Sequence, residues 1–269
     1  MTAPATQRLR GRFYDAHMLA ATGPARGAVG RLRAVATTQV TPAMLRLTVQ
    51  VEEPHLPLDP SGPNRVLRLS PPAEPEPDAG VLSGARPASR TYTIRRADPA
   101  SDRLDIDVVL HGDGLFVRWV RGAAPGDPLD FTGPRPHAVP SFEADAVVMV
   151  TDETGLPALA AIVEAAPAGL PIHAVVEVAD AAEEQALTSA ADLRVGWLHR
   201  DGAPAGTTGA LERAVRSLDW PAGAVDVWVA GEAGEVRSIR RFAATDRAVE
   251  RGRLHAFGYW RLGRAGSPS

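Results

Sequence analysis

Six consecutive residues concentrate the chemistry of this chain: Arg90-Thr91-Tyr92-Thr93-Ile94-Arg95. Two guanidinium forks match a diphosphate, the Tyr92 ring can stack on another ring, and a threonine offers a hydroxyl and an amide to a ring nitrogen. Flavin adenine dinucleotide (FAD) presents all of these partners. The same residues would also suit an ordinary edge strand with solvated arginines. In a regular strand Arg90 and Tyr92 face one way and Thr91, Thr93 and Arg95 the other. All can reach one ligand only where the strand ends or bends.

Composition narrows the chemistry further. A chain of 269 residues is longer than a usual single core, so two domains are expected. A net charge of −3 argues against a nucleic-acid binder that relies on bulk electrostatics. All 29 basic residues are arginine, which excludes lysine Schiff-base chemistry and leaves guanidinium groups and amides to hold anions. With no cysteine there is no disulfide, thiolate nucleophile, cysteine-ligated zinc or all-cysteine iron–sulfur cluster. No metal ligand set is expected, and any redox function would depend on a bound organic cofactor. No apolar run approaches a membrane span and the amino terminus lacks a signal-peptide core, so no membrane insertion and a cytoplasmic location are expected.

The elements that must position the hexapeptide read as two unlike halves. Residues 1–28 are expected to form a loosely attached arm, with a possible helix around Tyr14 to Ala20. From Arg31 period-2 alternation begins: Leu45, Leu47, Val49 and Val51 against Arg46, Thr48 and Gln50, and later Leu104, Ile106, Val108 and Leu110. Pro-rich loops occupy His55 to Pro63 and Pro71 to Ala88, with a strand at Arg65 to Ser70 between them. After His111-Gly112-Asp113-Gly114 comes an apolar helical turn, Leu115 to Val120, then a short strand Leu129 to Phe131 and a turn Gly133-Pro134-Arg135-Pro136. Short strands at such intervals predict a closed antiparallel β-barrel, residues 29–142. Beyond a boundary near Ser141 to Asp145, continuous apolar runs (Ala146 to Val150, Ile172 to Val178, Leu193 to Leu198, Val225 to Ala230, Leu254 to Trp260) are separated at several points by helix patterns. Those patterns are Leu156 to Ala165, Thr208 to Leu218 and Glu235 to Val249. Alternation of this kind predicts a doubly wound α/β parallel sheet over 143–269, with ligands beyond the carboxyl ends of its strands.

Several motifs in this order carry a resemblance. They are Arg90-Thr-Tyr-Thr-Ile-Arg95, His111-Gly-x-Gly114 followed by Trp119, Pro125-Gly-Asp127, Gly133-Pro-Arg135, Asp152-Glu-Thr154 with Leu156-Pro-Ala158, Ala230-Gly-Glu232 and Gly258-Tyr-Trp-Arg261. Together they resemble the siderophore-interacting protein family, the ferric-siderophore reductase branch of the ferredoxin-reductase-like flavoproteins, from about Gly30 to Arg264. The resemblance implies non-covalent FAD in the barrel, a second domain facing NADH or NADPH, and electron transfer from NAD(P)H or a reduced partner such as ferredoxin to a ferric siderophore. The partner protein, the siderophore and a monomeric or homodimeric state stay open. A siderophore- or flavin-binding module with weak turnover and a flavin reductase serving an oxygenase are the alternatives.

By the same resemblance Tyr92 would stack on the flavin or its side chain, Thr93 would approach the reactive ring nitrogen, and Arg90 would meet the diphosphate or the polar ring edge. Arg95 completes that strand and His111 would border the ring. Where relatives continue with Gly-Pro-Ala-Ser, this chain has Gly114-Leu115-Phe116-Val117, which keeps the backbone donors of a helix start but not the serine hydroxyl. Trp119 follows on the same turn. Asp152 and Thr154 would cap the next helix or shape where nicotinamide enters, although carboxylates repel a diphosphate. Glu232 is open to the same two readings, and Arg237, Arg240 and Arg241 read as a solvated helix face. Tyr259 and Trp260 would cover the flavin or fill the core. Anionic ferric complexes would meet arginine: Arg65 or Arg68, Arg135, and Arg261 or Arg264.

Overall fold

The computed structural model describes residues 28–54, 59–72 and 89–264. The expected arm with its helix, and most of the Pro-rich excursion before the hexapeptide, lie outside the described residues. The first half is one antiparallel sheet. Its elements are β1 (Ala28–Thr41), β2 (Met44–Pro54), β3 (Arg65–Ser70), β4 (Arg90–Thr93), β5 (Arg96–Asp98), β6 (Arg103–Val109), a helix α1 (Leu115–Gly122) and β7 (Pro128–Pro136). The strand order is β4-β3-β7-β1-β2-β6-β5.

Alternation works as the pattern predicts. Leu47, Val49, Leu104 and Ile106 fill the core, while on the other face Arg46 donates two bonds to Asp107 (2.7 and 2.9 Å) and Thr48 bonds Asp105 at 2.7 Å. One expectation needs correction. Gly133 to Pro136 is not a turn: β7 runs on through it, because the register against β3 slips between Val66 and Arg68 and so makes room for a proline without an amide donor. Gly133 is needed there, since a Cβ would lie 2.9 Å from the Val66 carbonyl at a φ of +126°.

The barrel closes inside the hexapeptide. β4 and β5 sit at opposite ends of the strand order yet are separated only by Ile94 and Arg95. Ile94 N still donates to Arg65 O (2.8 Å), whereas Arg95 N donates to Asp105 O (2.8 Å). The chain thus leaves β3 and joins β6 within two residues, and both sheet edges are removed.

The second half contains β8 (Ala146–Asp152), α2 (Leu156–Ala165), β9 (Pro171–Val178), β10 (Asp192–His199), α3 (Ala210–Ser217), β11 (Val225–Glu232), α4 (Ala233–Thr245) and β12 (Leu254–Trp260). The sheet is parallel throughout, in the order β10-β9-β8-β11-β12. Every residue of β8 and β11 is buried. Val147 and Met149 pack with Leu156, Leu159 and Ile162 of α2. Val148 and Val150 pack with Leu211 of α3 and Ile239 and Phe242 of α4. The last two helices are shorter than their apolar patterns suggested. α4 starts two residues early because the Glu232 carboxylate caps it, and it stops at Thr245 before a left-handed Ala248 at φ +55°.

Polar contacts join the halves. The Arg95 guanidinium, 7% exposed, makes a bidentate pair with Glu164 of α2 at 2.5 and 2.7 Å. Glu183, after β9, accepts from Thr41 Oγ1 (2.5 Å) and Ala43 N (2.7 Å) at the β1–β2 turn. Asn64 and Trp228 both donate to the Ala138 carbonyl, at 2.7 and 3.2 Å.

Arg95→Ala strands a partly buried carboxylate and should cost about 1–3 kcal/mol in chemical denaturation. Arg95, through its hydrogen bonds, holds Glu164 below its ordinary value of 4.5, so the pair stabilises the fold above that pH and fades as pH falls through the folded value. The gap between wild type and variant is expected to shrink below pH 4.5. A gap that stays constant there would place the stabilisation in packing of the Arg95 stem instead.

Candidate functional site

At the barrel seam, register sets Arg90 opposite Leu69 and Tyr92 opposite Leu67, with Thr93 opposite Val66. Arg90 is half-buried. Its one hydrogen bond goes to the Ser89 carbonyl (2.9 Å), and among the described residues no carboxylate pairs with it. Tyr92 lies against Phe116, ring centroids 4.5 Å apart and tilted by 32°, and burial pushes its phenol up while Arg90 opposes the shift. Phe116 in turn meets Trp119 at 5.7 Å. These contacts bring the start of α1 beside the seam. That helix starts at Gly114 with no side-chain cap and no acid in its first turn. The amides of Leu115, Phe116 and Val117 precede its first bond, Arg118 N to Gly114 O (3.0 Å).

Phe116 packs in the barrel core and Val117 is buried, so neither side chain is presented at the surface. Arg95, expected at the cofactor, is spent on Glu164. His111 is exposed just past β6.

Beyond Thr93 the sheet leads to the junction of the halves. Val66 is flanked by Thr93 on one side and Arg135 on the other, so these three share a face. The Arg135 Nε is buried without a partner among the described residues. Next to it His137 is wedged against Phe257 (4.3 Å, edge-on) and Tyr259 (6.1 Å). Burial, helped by Arg135, lowers His137 to about 4, so its ring is neutral at physiological pH. Burial and then Asp152 push the Tyr259 phenol up, and its hydroxyl also lacks a partner.

The expected arginine lining does not converge. Register puts Arg65 opposite Pro136 and Arg135 opposite Val66, on different faces, and Arg65 is tied to Asp59 (3.2 Å) and the Ser61 carbonyl (2.6 Å). Arg68 is held by Ser89 (2.6 Å), and Arg261 and Arg264 form a backbone bridge on the tail.

At the carboxyl ends of the parallel strands the carboxylates face one another. Asp152 Oδ1 accepts from Thr154 N (2.8 Å) and Oγ1 (2.5 Å), and Oδ2 accepts from Trp260 Nε1 (2.7 Å) and Glu232 N (3.1 Å). Asp152 and Thr154 therefore do not cap α2, whose N-cap is Gly155 with no side-chain bond. Burial, reinforced by Glu153, raises Asp152 to about 6 despite those donors. Glu153 makes a bidentate pair with Arg200 (2.5 and 2.7 Å), which also lies 3.6 Å from Glu177. Glu235, with one buried oxygen unpartnered, is pushed up to about 7 by burial and then by Glu177, Asp152 and Glu232.

Residues 33–138 match the siderophore-interacting FAD-binding domain and residues 144–263 the siderophore-interacting protein family. Ferric vibriobactin reductase ViuB of Vibrio cholerae is 30% identical, over 70% of this chain and 70% of its own length. The chain belongs to the siderophore-interacting protein family. A crystal structure of a siderophore utilization protein from T. fusca in this family's fold superposes with a TM-score of 0.76 at 35% identity, covering 89% of this chain and 95% of that one. Phthalate dioxygenase reductase, at 15% identity and a TM-score of 0.62 over 88% of this chain and 70% of its own, shares the fold alone.

The barrel is thus a family FAD-binding domain, and its donors fit that cofactor. Among the described residues Arg90 has no acid partner, the α1 amides carry no side-chain cap, and Tyr92 of the same strand as Arg90 packs on Phe116 of α1. The second domain has the opposite character, with its strand ends filled by acids. The sequence did not single out Glu164, His137, Glu177, Arg200 or Glu235. Glu164 had a signal, being the one acid in an otherwise apolar helix pattern, whereas His137 and Arg200 sit in loops without periodicity.

Glu235→Gln tests the acidic end. A carboxyl raised from 4.5 to about 7 contributes stability that is present at low pH and lost as pH rises through that window. The non-titrating variant should gain about 1 kcal/mol on wild type above pH 7, after allowing for solvent screening of a half-buried group, and nothing below 4.5. Parallel stability curves for the two proteins would refute the assignment.

Proposed function

We propose that the protein is an FAD-dependent ferric-siderophore reductase of the cytoplasm, taking electrons from NADH, NADPH or a reduced partner such as ferredoxin and releasing ferrous iron. The observation that carries this reading is an Arg90 with no acid partner among the described residues together with the uncapped start of α1, inside a matched FAD-binding domain. Named relatives that reduce ferric vibriobactin or ferric acinetobactin support the substrate class. Among the described residues no helix is long and apolar enough to cross a membrane.

In this reading the barrel (29–142) holds the cofactor and the second unit (143–269) faces donor and substrate. Arg90 and the amides of Leu115 to Val117 would bind the diphosphate, since an ionised acceptor on a guanidinium or a helix start is the strongest kind of hydrogen bond available here. Tyr92 would offer its remaining face to the cofactor, and Thr93 a hydroxyl at the ring edge. Bound FAD supplies the conversion of two-electron to one-electron chemistry. The protein's own part is placement. No acid–base pair is required, because reduction of iron needs proximity rather than a proton shuttle. Arg135, with its unpaired Nε, is the cation best placed to meet an anionic ferric catecholate or hydroxycarboxylate at the domain junction.

The protein purified in air should be yellow and should colour a ferrous chelator after anaerobic reduction in the presence of a ferric siderophore. A colourless preparation that takes up no added FAD would end this proposal. Arg90→Ala should weaken FAD binding by about ten- to a hundredfold, the loss of one charge-assisted contact of roughly 1.5–3 kcal/mol. Flavin occupancy equal to wild type in that variant would move the diphosphate to another strand.

A further inference from the structure

The fold implies a pyridine nucleotide on the second domain, and the residues present do not fit one. In an open α/β sheet a dinucleotide lies in the crevice where the strand order reverses, its diphosphate on the amides of a helix start. Here that crevice lies between β8 and β11, since α2 leaves on one side of the sheet and α3 and α4 pack on the other.

The crevice is closed from within. The Asp152 carboxylate spans it, accepting from Glu232 N and from Trp260 Nε1. Gly231, at φ +144°, makes that approach possible: a Cβ there would lie 2.8 Å from Asp152 Oδ2. Neither helix start at this crevice is open: in the first turn of α2 Pro157 has no amide donor and Ala158 N donates to Gly155 O (3.1 Å), and the start of α4 holds a carboxylate. Glu232 Oε2 accepts from Gly234 N and from Glu235 N (3.0 Å), and Oε1 accepts from Leu262 N at 3.2 Å. The donors that would hold a phosphate on α4 already hold a carboxylate. Glu153, Glu177 and Glu235 surround the same end, and the Arg200 guanidinium there is already paired with Glu153 and lies 3.6 Å from Glu177. A diphosphate would bring two more negative charges into this group and displace bonds without adding any. The contrast with α1, uncapped and free of acid, is internal to the same chain.

We infer that Glu232 and Asp152 are specificity residues that exclude the diphosphate of a dinucleotide, so that this domain has no affinity for the ADP half of NADH or NADPH and does not tell the two apart. The inference rests on the reductase reading and narrows its electron donor to one recognised by other means, and its test reads the second domain with the barrel site filled by FAD.

The test is calorimetric titration of the purified full chain with ADP-ribose and with NADP⁺, in excess FAD so that the barrel site is filled, at a pH above the raised values of Asp152 and Glu235. Wild type should give no saturable heat up to millimolar ligand. Micromolar binding of either ligand by wild type whose barrel site is filled with FAD would overturn the inference outright. Glu232→Gly, which frees the Gly234 and Glu235 amides and removes one charge, is expected to bind ADP-ribose at least about tenfold more tightly than wild type. A folded Glu232→Gly protein that gains nothing would overturn the role given to Glu232. If that variant does not fold, the wild-type titration still decides the question.

Discussion

The structure depends on the seam at Ile94 and Arg95, where a single stretch of chain serves both edges of the first sheet. Two consecutive amides donate in opposite directions, one to β3 and the next to β6. That requirement dictates much else. The hexapeptide cannot be a uniform strand, so Arg90 and Tyr92 stay with β3 while Arg95 is swung toward the second domain, where Glu164 receives it. Closing the barrel and joining the domains are therefore consequences of one backbone crossover. An unpaired sheet edge would have been exposed at this point otherwise.

The two halves treat backbone amides in opposite ways. At α1 the first-turn amides carry no side-chain cap, and Arg90 on the adjoining strand has no acid partner among the described residues. At α4 the corresponding amides are closed by Glu232, and the neighbouring strand ends are knitted by Asp152. Each choice has a cost that its surroundings offset. The α1 amides carry no side-chain cap, and the closed ones at α4 confine several carboxylates, two of which rise toward neutrality as a result. In a chain with a net charge of only −3, this separation of charge between the halves is invisible to composition.

The junction is where the structure adds most to the family assignment. His137 and Tyr259 come from the end of the first domain and the last strand of the second, and the Arg135 side chain is close enough to His137 to lower it. Among the described residues, Arg135 Nε and the Tyr259 hydroxyl have no hydrogen-bond partner there. Phe116 supplied the contrasting case. Its bulky side chain turns inward onto Tyr92, and the helix start carries no side-chain cap.

What the sequence by itself determined is the part governed by short-range periodicity and residue chemistry. Strict alternation at Leu45 to Val51 and continuous apolar runs such as Ala146 to Val150 specify one-sided and two-sided burial, and hence an antiparallel sheet followed by a parallel one. The ordered motifs from Arg90 to Arg261 specified the family. Tertiary structure alone decided which charges meet. That Arg95 would turn to Glu164, that Arg65 and Arg135 would part, and that β7 would continue through Gly133-Pro134 all depend on register and on contacts between residues far apart in the chain. The filling of the β8/β11 crevice is the clearest case. A carboxylate at Asp152 reads alike as a cap, a ligand contact or a strand-end brace until the fold sets Glu232 and Trp260 beside it, because long-range pairing of polar groups leaves no period in the sequence.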